Sequence, residues 1–465
     1  MVRTLDLVLV LSASVVVARP TSSVDVDTDL WRHEIARRTR AMETAYAAAD
    51  EASRVRVVPV VDASVRAFGR GKYAETARAL DDACSVLERR AGDDVLWFRS
   101  LVLVPERRAV EHGDDDLAIV VQQLYEAGEA PNVVGVRVEA PAVGIGPSAV
   151  LVASPSELPQ TLHFPVGRLD AGEYDLEVSG FRGSEELGRT TLHLSVVPGL
   201  AGRLERLRAA EVDDGVARDT VQECVRRVER LAHGGVLEAA GRANDLLRDA
   251  EAVASGAGAA ALGRPGERLV VLRGAPTRLV VPDGASADAP VPVVVALHNA
   301  VGNEDSFTDG YAAGLTVDLC RRRGWCLVAP RHDGRAFDLA ATLDELATFA
   351  PIDRERVFVV GHSLGATIAV RAIAAAPRGV VAYAALSGGA EANDALARIP
   401  AFLAHGDTDF GSDLVKGLAQ DLRARGAEDV DVRVFSSTEH RLIVHRALRD
   451  VFAFFDAHAG AESAR

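Results

Sequence analysis

A serine flanked by glycines is the residue of this chain best placed for covalent chemistry. The segment Gly361-His362-Ser363-Leu364-Gly365 follows the apolar run Val357–Val360 and precedes a helical run, Thr367–Ala375. A serine between a buried strand and a helix must lie in a sharp turn, and flanking glycines let strand and helix approach each other closely. The turn exposes the hydroxyl at the amino end of the helix, whose dipole favours developing negative charge. The pattern predicts that Ser363 is a nucleophile.

A nucleophilic serine needs a base within hydrogen-bond reach, because its hydroxyl is barely ionised at neutral pH. Among the twelve histidines we favour His440, which lies after the last predicted strand and before the final helix, over His445 five residues later. The base in turn needs a carboxylate that orients it. Asp407 and Asp409 both follow the apolar strand 401–404, so either could supply that carboxylate.

The elements that must position these residues alternate between strands and helices from about residue 268 to residue 460. The run Pro292–Leu297 is continuously apolar, which is typical of a strand buried on both faces. Predicted helices at about 310–323, 337–348 and 367–375 separate further strand-length runs at 325–330, 357–360, 381–386, 401–404 and 430–435. Such alternation predicts an α/β fold with a mostly parallel sheet covered by helices.

From about Pro292 onward the chain resembles the α/β-hydrolase esterases of the phospholipase/carboxylesterase and dienelactone-hydrolase kind. The resemblance rests on motifs that occur in the family's order: Leu297-His298, Gly361–Gly365, Leu386–Gly389, His405–Asp409 and His440. It implies that the last position of the HGxxD motif, Asp409, is the acid of a Ser-Asp-His triad. It also implies hydrolysis of carboxylic esters or thioesters without a cofactor.

The loop after the third strand departs from this family. The family usually has His-Gly-x-Gly-Gly, whereas this chain has His298-Asn299-Ala300-Val301-Gly302. The match implies that the backbone N–H groups of Ala300 and Leu364 hold the oxyanion, since donors fixed in advance stabilise charge that appears in the transition state. Asn299 would then replace a glycine in a left-handed conformation, which asparagine tolerates best after glycine. We expect Val301 to alter the loop or narrow the acyl site.

The N-terminal half divides into regions of different periodicity. Residues 27–93 recur at helical spacing, and residues 94–198 contain short β-rich runs, beginning with Leu96–Phe98, which predict an immunoglobulin-like β-sandwich. Residues 199–262 return to helical spacing, and the small residues of 255–263 predict a flexible boundary. No catalytic constellation is recognisable in this half, whose apolar stripes indicate packing.

The first twenty residues predict a signal peptide, because roughly a dozen apolar residues are too few to cross a bilayer. We therefore expect a secreted or periplasmic protein without a membrane span, with a cytoplasmic location as the alternative. The net charge of −15 and the lack of a basic stripe argue against nucleic-acid binding. Four cysteines are compatible with disulfides or with free buried thiols, and no cysteine or histidine cluster predicts a metal.

Three functions compete at this point. The first is a serine carboxylesterase acting on a small-molecule or polymer-linked ester, in an oligomeric state that the sequence leaves open. The second is a peptidase of the prolyl-oligopeptidase type, which the lack of repeated four-strand blades disfavours. The third is a hydrolase fold that binds without catalysis. The short segment 390–400 leaves no room for a lid at that point, so we expect a site open to water.

Overall fold

The computed structural model describes residues 28–90, 92–127, 134–152, 157–238 and 241–460. The predicted signal peptide at 1–20 lies outside these residues. Within the described chain, no helix combines the length and the apolar character that a bilayer span needs.

Three helices form the first unit: α1 (Thr28–Ala48), α2 (Glu51–Gly69) and α3 (Tyr73–Glu88). Asp50 caps α2, because its side chain accepts a hydrogen bond from the Ser53 N–H at 2.8 Å. The three helices share a core that includes Ile35, Met42 and Val61, and Leu442 from the C-terminal part of the chain joins it. The helical stripes predicted for this region therefore pack partly against a distant segment.

The predicted strand at Leu96–Phe98 is wrong, because these residues lie in a short helix, α4 (Asp93–Arg99). Two acidic residues in its first turn favour the helix through its dipole. Trp97 and Phe98 are both buried, and the Phe98 ring packs against Gly180, where no side chain intervenes. An aromatic run can thus bury two consecutive rings from a helix end.

Eight strands follow α4 and form two sheets around one core. The strands are β1 (Leu101–Pro105), β2 (Ala109–Glu111), β3 (Leu117–Gln123), β4 (Val134–Ala140), β5 (Ile145–Val152), β6 (Gln160–Phe164), β7 (Gly172–Arg182) and β8 (Glu185–Val197). One sheet has the order β1-β3-β6 and the other β2-β8-β7-β4-β5. All neighbours pair antiparallel except β2 and β8, which are parallel.

Three further helices, α5 (Leu200–Ala209), α6 (Gly215–Ala232) and α7 (Ala243–Ala252), lead to the C-terminal sheet. They belong to the same hydrophobic core as one face of that sheet. The small residues predicted as a flexible boundary instead form two irregular helical turns over 253–261, which bury Val253 and Ala261. Small side chains allow this close packing, so their composition does not by itself indicate a linker.

The C-terminal sheet has eight strands in the order β16-β15-β14-β13-β11-β12-β10-β9. They are β9 (Gly266–Leu272), β10 (Ala275–Val281), β11 (Val291–Leu297), β12 (Cys326–Pro330), β13 (Ile352–His362), β14 (Val380–Leu386), β15 (Ala401–Gly406) and β16 (Val430–Phe435). The strands from β11 to β16 are parallel to one another, and at one edge β10 pairs antiparallel with both β12 and β9. The predicted mostly parallel sheet is confirmed.

Helices cover both faces of this sheet: α8 (Leu315–Arg323), α9 (Leu339–Ala347), α10 (Leu364–Ala375), α11 (Ser412–Ala424) and α12 (Ile443–Ala459). Alternate residues of β11 enter opposite cores, with Val293 and Val295 on one face and Val294 and Ala296 on the other. This is why the run is continuously apolar. The parallel strands all end at the same edge, where Ser363 follows β13 and Asp409 follows β15.

Candidate active site

Ser363 lies in the turn between β13 and α10 with φ 56° and ψ −121°, a conformation that side chains rarely adopt. The flanking glycines make this turn possible. A Cβ on Gly365 would lie 2.2 Å from the backbone oxygens of Leu297 and His298, and one on Gly361 would lie 2.5 Å from the Gly365 oxygen. Gly361 and Gly365 are therefore required for steric reasons, as expected from the sequence, because a side chain at either position would clash with the backbone.

Three of the predicted site residues are brought together in one hydrogen-bonded chain. His440 Nε2 lies 2.8 Å from Ser363 Oγ, and His440 Nδ1 lies 2.7 Å from Asp409 Oδ1. The aspartate and the imidazole are almost fully buried. The Phe410 ring stacks on the imidazole with 3.8 Å between the ring centroids. With Nδ1–H donating to the carboxylate, Nε2 is free to accept the serine proton.

The two alternative residues lie elsewhere. The Asp407 carboxylate accepts a hydrogen bond from the Thr438 N–H at 3.1 Å and does not contact the imidazole of His440. His445 lies within α12 with its Nδ1 3.3 Å from Glu43 Oε2, and its ring packs edge-on against Tyr46. Both are therefore engaged in local or interdomain contacts away from Ser363.

Asp409 is held by more donors than the histidine alone. The Ser387 hydroxyl donates to its Oδ2, and the Gly411 N–H donates to Oδ1 at 2.7 Å. Burial opposes ionisation, but the hydrogen bonds from His440, Ser387 and Gly411 outweigh it and hold the pKa of Asp409 below its ordinary value. The carboxylate is therefore ionised wherever an imidazole base would operate. The role of Ser387 was not predicted, although its motif, Leu386–Gly389, was visible in the sequence.

The loop at residues 298–303 differs from the left-handed conformation expected at Asn299. Positive φ angles of non-glycine residues occur elsewhere in the described chain, and Asn299 is not among them. Its side chain accepts a hydrogen bond from the Val301 N–H at 3.2 Å, and its carbonyl accepts one from the Gly302 N–H at 3.2 Å. A turn stabilised by the asparagine side chain thus replaces the glycine-rich one. Val301 is exposed.

Two stacked histidines fix the base of this loop. His298 and His332 lie with ring centroids 3.9 Å apart. The His332 N–H donates to His298 Nε2 at 3.1 Å, so the other ring nitrogen, Nδ1, donates to the Asn299 carbonyl at 2.6 Å. Burial, followed by the neighbouring His332, lowers the pKa of His298 to about 3. A neutral imidazole suits this arrangement, because one nitrogen must accept.

A second buried histidine, His362, contacts the backbone of His440. His362 Nε2 lies 2.8 Å from the His440 carbonyl oxygen, and its Nδ1 lies 2.9 Å from the Tyr311 hydroxyl. Burial lowers the pKa of His362 to about 3, with the His440 charge acting in the same direction. The neutral ring donates from Nε2 to the carbonyl and accepts the Tyr311 hydroxyl proton at Nδ1. This contact fixes the backbone that carries the candidate base.

The hydroxyl of Ser363 faces a cavity of about 250 Å³ that the N-terminal helices enclose on one side. We expected a site open to water because the chain has no insertion at 390–400. The cavity is covered on this side but remains partly open to solvent, so the expectation holds only in part. The cover comes from α1, α2 and α3, whose contributions include Ile35, Ala36, Thr39, Val65, Phe68 and Leu80, while the opposite wall includes Ala300, Val301, Ser363, Phe410 and His440.

A buried glutamate ties this cover to the catalytic edge. Glu43 of α1 is buried and lies 3.4 Å from the Nε of Arg441, the residue after the candidate base. It also contacts His445 at 3.3 Å and accepts a hydrogen bond from the Ala312 N–H at 3.3 Å. Helix α1 is thus joined to two separate segments of the C-terminal domain, around Ala312 and at 441–445, so the cover is a fixed part of the site.

Comparisons with known proteins place this region among hydrolases. Residues 276–459 match the model of the Dienelactone hydrolase family. No curated protein sequence matches the chain. Among solved structures, a ferulic acid esterase is similar, with 18% identity over 42% of this chain and 100% of its own, at a TM-score of 0.36.

Two further similar structures are, by title, a serine hydrolase and an S-formylglutathione hydrolase. The fluorophosphonate-binding serine hydrolase FphF of Staphylococcus aureus has 13% identity over 41% of this chain and 99% of its own, at a TM-score of 0.35. An S-formylglutathione hydrolase from Agrobacterium tumefaciens has 15% identity over 40% and 90%, at a TM-score of 0.33. The resemblance inferred from the motifs is confirmed by the family match, and residues 276–459 form a dienelactone hydrolase family domain with the α/β-hydrolase fold.

Proposed function

We propose that this protein is a serine carboxylesterase that forms an acyl-enzyme on Ser363. The observation that carries the proposal is the buried chain from Ser363 Oγ through His440 to Asp409, with bonds of 2.8 and 2.7 Å. A hydroxyl, an imidazole and an ionised carboxylate in this order form the arrangement that activates a serine. The family match to residues 276–459 supports the same reaction class.

In the first half of the reaction, His440 Nε2 takes the proton of Ser363 as Oγ attacks the acyl carbonyl. Asp409 stabilises the imidazolium that forms. The imidazolium then gives its proton to the departing alcohol oxygen, which leaves an ester on Ser363. A water molecule activated by the same imidazole hydrolyses that ester and releases the acid.

The negative oxygen of each tetrahedral intermediate needs fixed donors, and we assign this role to the N–H groups of Ala300 and Leu364. Leu364 begins α10, so its amide lies at the positive end of the helix dipole. Ala300 lines the same cavity as Ser363. The Asn299 turn and the His298 contact described above hold its peptide without glycines.

The cavity indicates the substrate class. It is small, and its wall includes the apolar side chains of Ile35, Val65 and Phe68 from the N-terminal helices. This favours an ester whose group on that side is compact and apolar over a long acyl chain. A small-molecule ester, or a compact acyl group on a polymer, fits this description. No observation favours a peptidase, since the sheets that precede the hydrolase domain have three and five strands.

Two features outside the active site complete the proposal. The two sheets of residues 101–197 share one core, which supports an immunoglobulin-like sandwich as an accessory module. Export depends on the apolar segment within residues 1–20, and sequencing the amino terminus of protein recovered from the medium or periplasm would test it. A mature chain that retains Met1 would contradict export.

Fluorophosphonate labelling of the purified chain tests the reaction directly. We expect labelling and hydrolysis of p-nitrophenyl acetate, with p-nitrophenyl octanoate and peptide p-nitroanilides much poorer substrates. Ser363→Ala should abolish the label, while Ser412→Ala should retain it, because its hydroxyl contacts only Lys416. A wild-type protein that neither labels nor hydrolyses esters would identify a hydrolase fold without catalysis. Preference for anilides would identify a peptidase.

A further inference from the structure

A second, larger cavity lies between helix α1 and the five-stranded sheet. It measures about 760 Å³, which is within the range of sites for small organic ligands, and such sites are common where domains meet. Helix α1 lines one side through His33, Glu34 and Arg37, and strands β7 and β8 line another. The opposite face of α1, with Ile35 and Ala36, lines the active-site cavity. The helix therefore separates two distinct cavities.

Arginines line this second cavity, and all but one of them contact a carboxylate. The pairs are Arg37 with Glu34 at 2.9 Å, Arg40 with Asp309 at 3.2 Å, Arg189 with Glu177 at 3.1 Å, and Arg242 with Asp175 at 3.9 Å. The exception is Arg108, which is only 6% exposed. Its Nε and Nη2 have no hydrogen-bond partner among the residues that the structure describes.

Arg108 therefore carries a buried positive charge without a direct counterion. Burial lowers the pKa of its guanidinium to about 10, so it remains protonated at neutral pH. Glu34 is the anion that raises the pKa of Arg108, but it already pairs with Arg37 and Arg38. His33 cannot compensate, because its Nδ1–H donates to the Leu237 carbonyl at 2.7 Å and a neutral imidazole carries no negative charge. A buried charge of this kind calls for an anion.

We propose that this cavity binds an organic monocarboxylate whose carboxylate pairs with Arg108. The rest of the lining suits an apolar body, since it includes Leu101, Leu103, Leu192, Leu231 and Leu237. A single uncompensated guanidinium matches one negative charge, and it forms a fork of donors that fits a carboxylate. A phosphate monoester would bring more charge than this one cation balances.

Calorimetric titration of the full chain with 4-phenylbutyrate tests the proposal. The neutral 4-phenylbutyramide should bind about 10-fold more weakly or worse, because the charge-assisted hydrogen bonds are lost. Arg108→Met should weaken phenylbutyrate binding by a similar factor, and Arg108→Lys should retain part of it. Arg189→Met is the matched control, since Arg189 lines the same cavity but is paired with Glu177. We expect its affinity to stay within about 2-fold.

The same variants separate ligand binding from a structural role. Replacing an unpaired buried cation with methionine should leave the melting temperature unchanged or raised. A folded Arg108→Met that binds phenylbutyrate as tightly as the wild type would overturn the site, as would equal affinity for acid and amide. Tighter binding of 3-phenylpropyl phosphate than of phenylbutyrate would overturn the choice of a carboxylate. Because Arg108 does not line the active-site cavity, binding of a carboxylic acid product at Ser363 would survive Arg108→Met.

Discussion

The catalytic edge of the sheet and the helices that cover it each contain a buried network of charges. In the cover, Arg38 pairs with Glu34 and with Asp81, and its Nη2 donates to the Arg99 carbonyl at 2.7 Å. The Tyr125 hydroxyl donates to Asp81 at 2.7 Å. Each charged group of this network therefore has a protein partner, although Glu34 also lines the second cavity.

The network at the catalytic edge differs in having one free end. Asp409 is satisfied by Ser387, Gly411 and His440, but the chain ends at the Ser363 hydroxyl, which faces a cavity. A closed network stabilises one arrangement of helices, whereas an open one can pass a proton to a bound molecule. The comparison teaches that burial and charge alone do not identify an active site.

Removing the base should produce the largest difference between the two regions. His440→Ala should lower kcat by about 10⁵-fold, because among the described residues His440 is the base that contacts the Ser363 hydroxyl. His445→Ala is the matched control on the cover side, and we expect its kcat to stay within about 5-fold, since its ring contacts Glu43 rather than the serine. Steady-state ester hydrolysis measures both. Equal losses of kcat in the two variants would show that His440 is not the base.

Substitutions of the two aspartates that follow β15 should show the second-largest difference in kcat. Asp409→Asn should reduce kcat by about 10³- to 10⁴-fold, since an amide cannot stabilise the imidazolium and favours the wrong tautomer. Asp407→Asn should change kcat less than about 3-fold, because this residue contacts only backbone near Thr438. A larger loss in Asp407→Asn than in Asp409→Asn would reverse the assignment of the triad acid.

Glu439, next to the candidate base, and Glu34, in the cover, should make opposite contributions to the pH dependence of folding stability. Burial raises the pKa of Glu439 to about 7 and outweighs the backbone N–H groups of Arg441 and Leu442 and the charge of Arg441, which lower it. Arg37 and Arg38 overcome burial at Glu34 and hold its pKa well below the ordinary value. A raised carboxyl pKa means that the folded state loses stability as pH rises from about 4.5 to 7. A lowered carboxyl pKa stabilises the folded state above about pH 4.5, and this stabilisation is lost in acid.

We therefore expect Glu439→Gln to gain stability relative to the wild type between about pH 5 and pH 8, by on the order of 3 kcal/mol. Glu34→Gln should be destabilised by a constant amount over the same range, since Glu34 is ionised in both states there. Denaturant unfolding at several pH values measures the difference. A pH-independent difference for Glu439→Gln would contradict the raised pKa.

A larger side chain on α1 that fills part of the active-site cavity should have the smallest effect on kcat/KM. Its effect should also depend most strongly on the acyl length of the substrate. Ala36→Phe places a ring in the active-site cavity, so kcat/KM should fall by about 10-fold for butyrate esters and much less for acetate esters. Ala47→Phe is the matched control, because Ala47 is exposed on the same helix. Equal losses for all acyl lengths would mean that α1 does not line the acyl site.

Local patterns predicted much of the hydrolase-family domain, because its candidate site residues lie at the ends of its own strands. Gly361 and Gly365 around Ser363 had a steric meaning that could be inferred from the sequence, and the runs of β11, β13 and β15 identified a buried parallel sheet. The positions of Asp409 and His440 at strand ends followed from the same order. Asn299 was less predictable, since an asparagine turn satisfies the loop without the expected left-handed backbone.

The N-terminal half was harder, because its short runs are ambiguous and its partners are far away in the chain. Leu96–Phe98 has the composition of a strand, but tertiary packing against Gly180 favours a helix. The small residues of 255–263 pack as helical turns. The sequence did not indicate that α1 covers the active-site cavity. The segment that this helix contacts lies some 400 residues away in the chain, as in the Glu43 contact with His445.

The sequence by itself determined the candidate nucleophile, the order of the candidate triad and the type of sheet, since these depend on side-chain size and hydrophobic period within short segments. Only the tertiary structure decided which aspartate meets the imidazole, how the cavity is covered and where Arg108 is buried. Those outcomes depend on packing between segments far apart in the chain, and no local pattern encodes which distant surface a helix will cover.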